Sequence, residues 1–162
     1  MPERGARFGG HPVHPALVSL PIGLWTFSLA ADLVHGLGGG SIWRDLALYT
    51  LGAGIVGAVI AAVPGFIDYL TISDGRVRDI AVAHKATMLV VLAVFAVSFW
   101  LRWTGTMGAL PVAVSALGVA LLGIGAWVGA EMVYVHGQGM VADPLWKGHP
   151  REGTGPSRRR VA

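Results

Sequence analysis

The chain has 162 residues, of which 54% are hydrophobic and only 13% charged, with a mean hydropathy of +0.62 and a formal net charge of +3. That usage excludes an ordinary water-soluble domain and marks an integral membrane protein. The absence of cysteine further excludes disulfides, a cysteine-bound iron–sulfur cluster and a covalently attached c-type haem.

Residues 1–15 read as a polar lead-in containing Arg4, Arg7 and the run His11-Pro12-Val13-His14-Pro15. A residue before proline is biased towards extended backbone and proline suits the first helical turn, so a stiff segment is expected with the helix starting near Pro15. Four continuous apolar spans follow at about 17–37, 46–67, 80–101 and 111–135, each near the ~20 residues that cross ~30 Å of hydrocarbon. Their apolar residues do not alternate, which selects helices over a closed barrel. Turn residues at Gly36–Ser41, Ser73–Gly75 and Thr104–Gly108 make short connections. Short connections make neighbouring helices antiparallel. The expected fold is therefore an all-α integral membrane protein, an antiparallel four-helix transmembrane bundle over residues 16–136, with the first span as its own insertion signal. Residues 137–162 form a basic tail whose distal Gly, Pro and Arg composition predicts disorder.

Ten Lys and Arg residues fall on the side of both termini and the second connection, against Arg44 and Arg102 on the other. The positive-inside rule then makes the chain a multi-pass protein of the plasma (inner) membrane with both termini cytoplasmic. The basic excess is accounted for by topology and by attraction to anionic lipid, without nucleic-acid binding. Trp43, Trp100 and Trp103 mark the outer boundary and Tyr69, Tyr134 and Trp146 the inner one. Small-residue spacings such as Gly54–Ala58, Gly57–Ala61 and Gly125–Gly129 serve helix packing, within the bundle or in a homodimer.

Folded this way, the chain gathers His11, His14, Asp68, His84, Glu131 and His136 at its cytoplasmic end. Ionisable groups at the edge of hydrocarbon are costly and are retained where they pair or bind something. Spans one and three each begin near a histidine, and spans two and four each end near an acid that follows a glycine. Two related helical hairpins would set His14 across from His84 with an acid beside each. Glu131 interrupts an apolar helix and shares a stripe with Trp127 and Tyr134, which are expected to support it. On the other side, Asp32 and His35 are close enough along one helix to pair, or else simply meet headgroups.

The runs His11–Val18, Pro21–Trp25, Pro64–Asp68, the helix start at His84 and Gly129–Gly139 resemble DUF2231, a prokaryotic family of four-span membrane proteins, over about residues 8–142. The resemblance implies a membrane bundle with no assigned activity. Some members resemble chains joined to Rieske-type iron–sulfur domains, which implies redox work.

The donors available are imidazole and carboxylate. They suit a b-type haem held by two histidines, with His14 and His84 as the first axial pair and His136 as substitute. They also suit a divalent transition-metal ion held by His11, His14, His84 and His136 with Glu131 or Asp68. A third reading is a hydrogen-bonded polar cap that fixes the bundle and docks a partner without cofactor. No nucleophile motif or phosphate loop is present, so an electron-transfer or binding subunit, served by a redox partner or quinone, is expected rather than a stand-alone enzyme.

Overall fold

A computed structural model describes residues 5–106 and 108–138; the expectations for Trp146 and the basic tail lie outside them. The chain forms β1 (Arg7–Phe8), β2 (His11–Pro12), α1 (Val13–Gly36), α2 (Ser41–Leu70), α3 (Gly75–Trp103) and α4 (Ala109–Tyr134). All four helices are long and apolar enough to cross a membrane. At 24–30 residues and 1.5 Å per residue they reach about 36–45 Å, more than the ~30 Å of hydrocarbon, so their ends project into the headgroup layers. This is why the helices overrun the apolar spans read from sequence.

The lead-in differs from expectation. Arg7 and Phe8 pair with Pro12 and His11 in a tight antiparallel hairpin, turned by Gly9 and Gly10, both at positive φ, the conformation a two-residue hairpin loop demands. The helix then starts at Val13 rather than near Pro15, and His14 is helical. Pro15 costs no helical hydrogen bond there, because the first four N–H groups of a helix have no intrahelical acceptor. The bias at His14 against helix is offset by the bond its ring makes to α2, described below.

Buried positions recur at steps of three and four: Pro21, Trp25, Ser28 and Asp32 in α1; Ala47, Leu51, Gly54, Gly57, Ala61 and Pro64 in α2; Phe95 and Ser98 in α3; Pro111, Ser115, Gly118, Leu122 and Gly125 in α4. This is a seven-residue period, the pattern of left-handed helix packing. Packing is dense within the pairs α1–α2 and α3–α4 and sparse between them, so the bundle is two helical hairpins laid side by side.

The hairpins repeat one another. Ser28 Oγ donates to Ala47 O at 2.7 Å and Ser98 Oγ to Pro111 O at 2.9 Å. Trp25 lies against Gly54 and Phe95 against Gly118, where an added Cβ would come within 2.5 and 2.8 Å of the rings. The α1 residues lie 70 positions before their α3 counterparts, and the α2 residues 64 before theirs in α4. Large side chains on α1 and α3 therefore meet over glycines on α2 and α4. At the centre Trp25 and Phe95 stack with ring centroids 4.1 Å apart and planes 16° from parallel. The small-residue positions Gly54, Gly57, Ala61 and Gly125 are consumed by contacts inside the bundle.

Candidate functional site

The repeat is closest at the end where the chain enters α1. His14 occupies the first turn of α1, and its Nδ1 lies 2.8 Å from Ala61 O of α2. His84, 70 residues on, places Nδ1 2.9 Å from Gly125 O of α4. A carbonyl oxygen only accepts, so in each ring Nδ1 carries the proton and donates, leaving Nε2 as the basic nitrogen. Each imidazole also lies against a glycine of the helix it bonds. A Cβ at Gly65 would stand 2.7 Å from the His14 ring, and one at Gly129 would stand 2.9 Å from the His84 ring. Neither Nε2 has a hydrogen-bond partner among the described residues. Seven residues further into the bundle the counterparts Pro21 and Val91 are both buried.

The other expected residues divide. His136, just beyond α4, has its Nε2 buried with no hydrogen-bond partner among the described residues. A buried, unsatisfied imidazole nitrogen calls for a partner such as a water or a ligand. Glu131 is half-buried in the last turn of α4. His11 is exposed in β2, its Nδ1 3.0 Å from Gly9 O of its own turn, and is engaged locally. Asp68 is engaged structurally: its Oδ1 accepts from Ala6 N at 2.6 Å, tying the N-terminal hairpin to the end of α2. The repeat explains why Asp68 and Glu131 differ. The residue 64 after Asp68 is Met132, which packs against Ile72, Val77 and Ala81, so Glu131 is displaced by one position and by about 100° around the helix.

Trp127 and Tyr134 do not support the site. They are 78% and 80% exposed on the face of α4 that meets lipid, away from the Gly125 and Gly129 seam. The stripe that joins them to Glu131 is real, but it runs along the rim of the bundle. Among the described residues, no group of three or more His, Asp or Glu is arranged to hold a metal ion. What the repeat relates is a pair of imidazoles, each fixed in the same way on its own hairpin.

The opposite end holds a group that sequence reasoning assigned differently. Asp32 does not pair with His35, whose Nδ1 lies 3.2 Å from Gly39 O. It forms a bidentate ion pair with Arg102 across the bundle, at 2.5 and 2.7 Å, with both side chains nearly buried. Ser115 Oγ and Pro111 O accept further bonds from the same guanidinium at 3.0 and 3.3 Å. The pair lines a cavity of about 300 Å³ together with His35, Arg44 and Asp45. The signal that would have found it is the spacing of 70 residues that relates His14 to His84, because it also relates Asp32 to Arg102.

The model of the family described as predicted membrane protein (DUF2231) matches residues 10–142, and the chain belongs to that family. No curated protein and no solved structure matches it.

Proposed function

We propose that this DUF2231 protein is a small electron-transfer subunit of the plasma membrane that holds a b-type haem between His14 and His84. The observation that carries the reading is the symmetry of the two imidazoles. They project from equivalent positions of α1 and α3, each with Nδ1 fixed on a neighbouring backbone carbonyl and Nε2 left to ligate. A second hydrogen bond of this kind sets tautomer and ring orientation in histidine metal ligands. Two opposed imidazoles suffice for haem, whereas a non-haem ion needs at least a third donor that the described residues do not bring to the pair. Bound haem would supply one-electron transfer, and the protein's part is to orient the imidazoles and to exclude water with Pro21 and Val91. The unsatisfied Nε2 of His136 supports a role for this residue as the substitute ligand or as a partner of a haem carboxylate. A soluble redox protein or quinone completes the reaction at the same end. The excess of Lys and Arg at that end supports a cytoplasmic location for both termini, and a homodimer is compatible with the lipid-facing surfaces.

A second reading has its own support. Ser28 and Ser98 fasten the same helix pairs through carbonyls further along the bundle. On that reading His14 and His84 are fasteners of the same type, and the polar end is a cap that docks a partner.

The deciding experiment is a reduced-minus-oxidised visible spectrum of the protein purified in mild detergent, with metal analysis of the same sample. Sharp haem bands, lost in His14→Ala and His84→Ala and retained in His11→Ala, are the expected result. A featureless spectrum with one stoichiometric ion supports the metal site, and one with no ion supports the cap.

A further inference from the structure

Phe66 and Tyr69 stand near the end of α2, with ring centroids 6.3 Å apart, and two cations of α3 come to them. Lys85 Nζ lies 3.8 Å from the Tyr69 ring centroid and 6.0 Å from that of Phe66, and Arg78 Cζ lies 5.2 Å from that of Tyr69. Arg78 and Lys85 are seven residues apart, two turns along one face of the helix. Tyr69 packs on the buried cluster Ile72, Val77 and Ala81, so the ring that both cations share is fixed in position. Neither cation has a carboxylate partner among the described residues, although Asp74 and Asp79 are close in sequence. Asp74 caps α3 by accepting from Val77 N at 3.0 Å.

The surroundings fit one kind of molecule. Phe66, Val63 and Leu89 are exposed apolar residues directed to lipid, and the seam between α2 and α3 is sparsely packed. Both helices are long enough to project beyond the hydrocarbon, and Lys85 reaches the ring of Tyr69, one residue before the end of α2, so its ammonium snorkels towards headgroup depth. We propose that this seam is a binding site for an anionic phospholipid, its phosphate held by Lys85 and Arg78 and its acyl chain lying along Val63, Phe66 and Leu89. Charge complementarity selects the headgroup, since two cations with no carboxylate partner among the described residues, beside a lipid-facing apolar stripe, favour a negative amphiphile over a zwitterionic one.

The test is native mass spectrometry of the full chain in detergent with phosphatidylglycerol, phosphatidylcholine or inorganic phosphate added. The wild-type protein is expected to retain phosphatidylglycerol over phosphatidylcholine. The variant Arg78→Gln/Lys85→Gln is expected to lose that preference by about fivefold per cation. Arg78→Lys/Lys85→Arg should restore it, and Arg44→Gln, at the other end of the bundle, should leave it intact. Thermal unfolding of each variant separates loss of lipid from loss of fold. Equal retention of the two lipids, an unchanged preference in the folded double Gln variant, or displacement of lipid by an equal concentration of inorganic phosphate would overturn the proposal.

Discussion

Gly129 sets the position of the His84 ring, and Gly129→Ala tests that claim sharply. The added Cβ would stand 2.9 Å from His84 Cε1 and 3.2 Å from Nδ1, so the imidazole must retreat by several tenths of an ångström. It cannot do so and keep its 2.9 Å bond to Gly125 O, since that carbonyl lies one helical turn along the same helix. Overpacking costs ~1–3 kcal/mol and the lost hydrogen bond ~0.5–1.5 kcal/mol, while the better helix propensity of alanine returns ~1 kcal/mol. A net loss of about 0.5–3.5 kcal/mol follows. Gly123, six residues earlier in α4, is the internal control. Its Cβ would meet nothing within 4 Å, so Gly123→Ala should be neutral or stabilising by up to ~1 kcal/mol. The assay is reversible unfolding of both variants in mixed micelles, read by helical circular dichroism. If Gly129→Ala were as stable as Gly123→Ala, the close approach of His84 to α4 would be refuted. The reciprocal change Gly65→Ala, facing His14 at 2.7 Å, should behave like Gly129→Ala.

Removing one member of the Asp32–Arg102 pair leaves a buried charge without its partner and should cost about 3–5 kcal/mol, whereas Asp32→Leu/Arg102→Leu should recover much of it; thermal unfolding of the three variants measures this. Asp68→Ala should release the N-terminal hairpin from α2, seen as faster proteolysis near Gly9 and Gly10 with the four-helix bundle still folded. Asp68→Asn, which retains an oxygen for Ala6 N, should lie between that variant and wild type. Phe95→Ala removes half of the central stack and should cost ~3–5 kcal/mol, with Gly118 unable to fill the space it leaves.

Membership of a membrane class was legible in the sequence because hydropathy and span length are additive properties of the chain. The four spans and their antiparallel order follow from that. The equivalence of His14 and His84 was legible for a different reason, since a weak repeat in residue type reported a real repeat in structure. Its extent was not. Trp25 against Phe95 and Asp32 against Arg102 are equivalent positions that hold unlike residues, so the repeat is chemically silent there. The inward face of each helix was equally hidden, because in lipid the outward face is as apolar as the inward one and no amphipathic stripe distinguishes them. That is why Trp127 and Tyr134, sharing a stripe with Glu131, were expected at the site and instead face lipid.

The amino-acid sequence by itself determined that this chain crosses a membrane four times as helices and carries His11, His14, His84 and His136 at one end, because unsatisfied backbone groups and charges are expensive in hydrocarbon wherever they occur. Tertiary structure alone decided which groups meet. The register between helices is set by Trp25 and Phe95 settling over Gly54 and Gly118. A shift of one residue turns a helix by about 100°, enough to separate Asp68 from the role of Glu131 and to give Asp32 a partner 70 residues away.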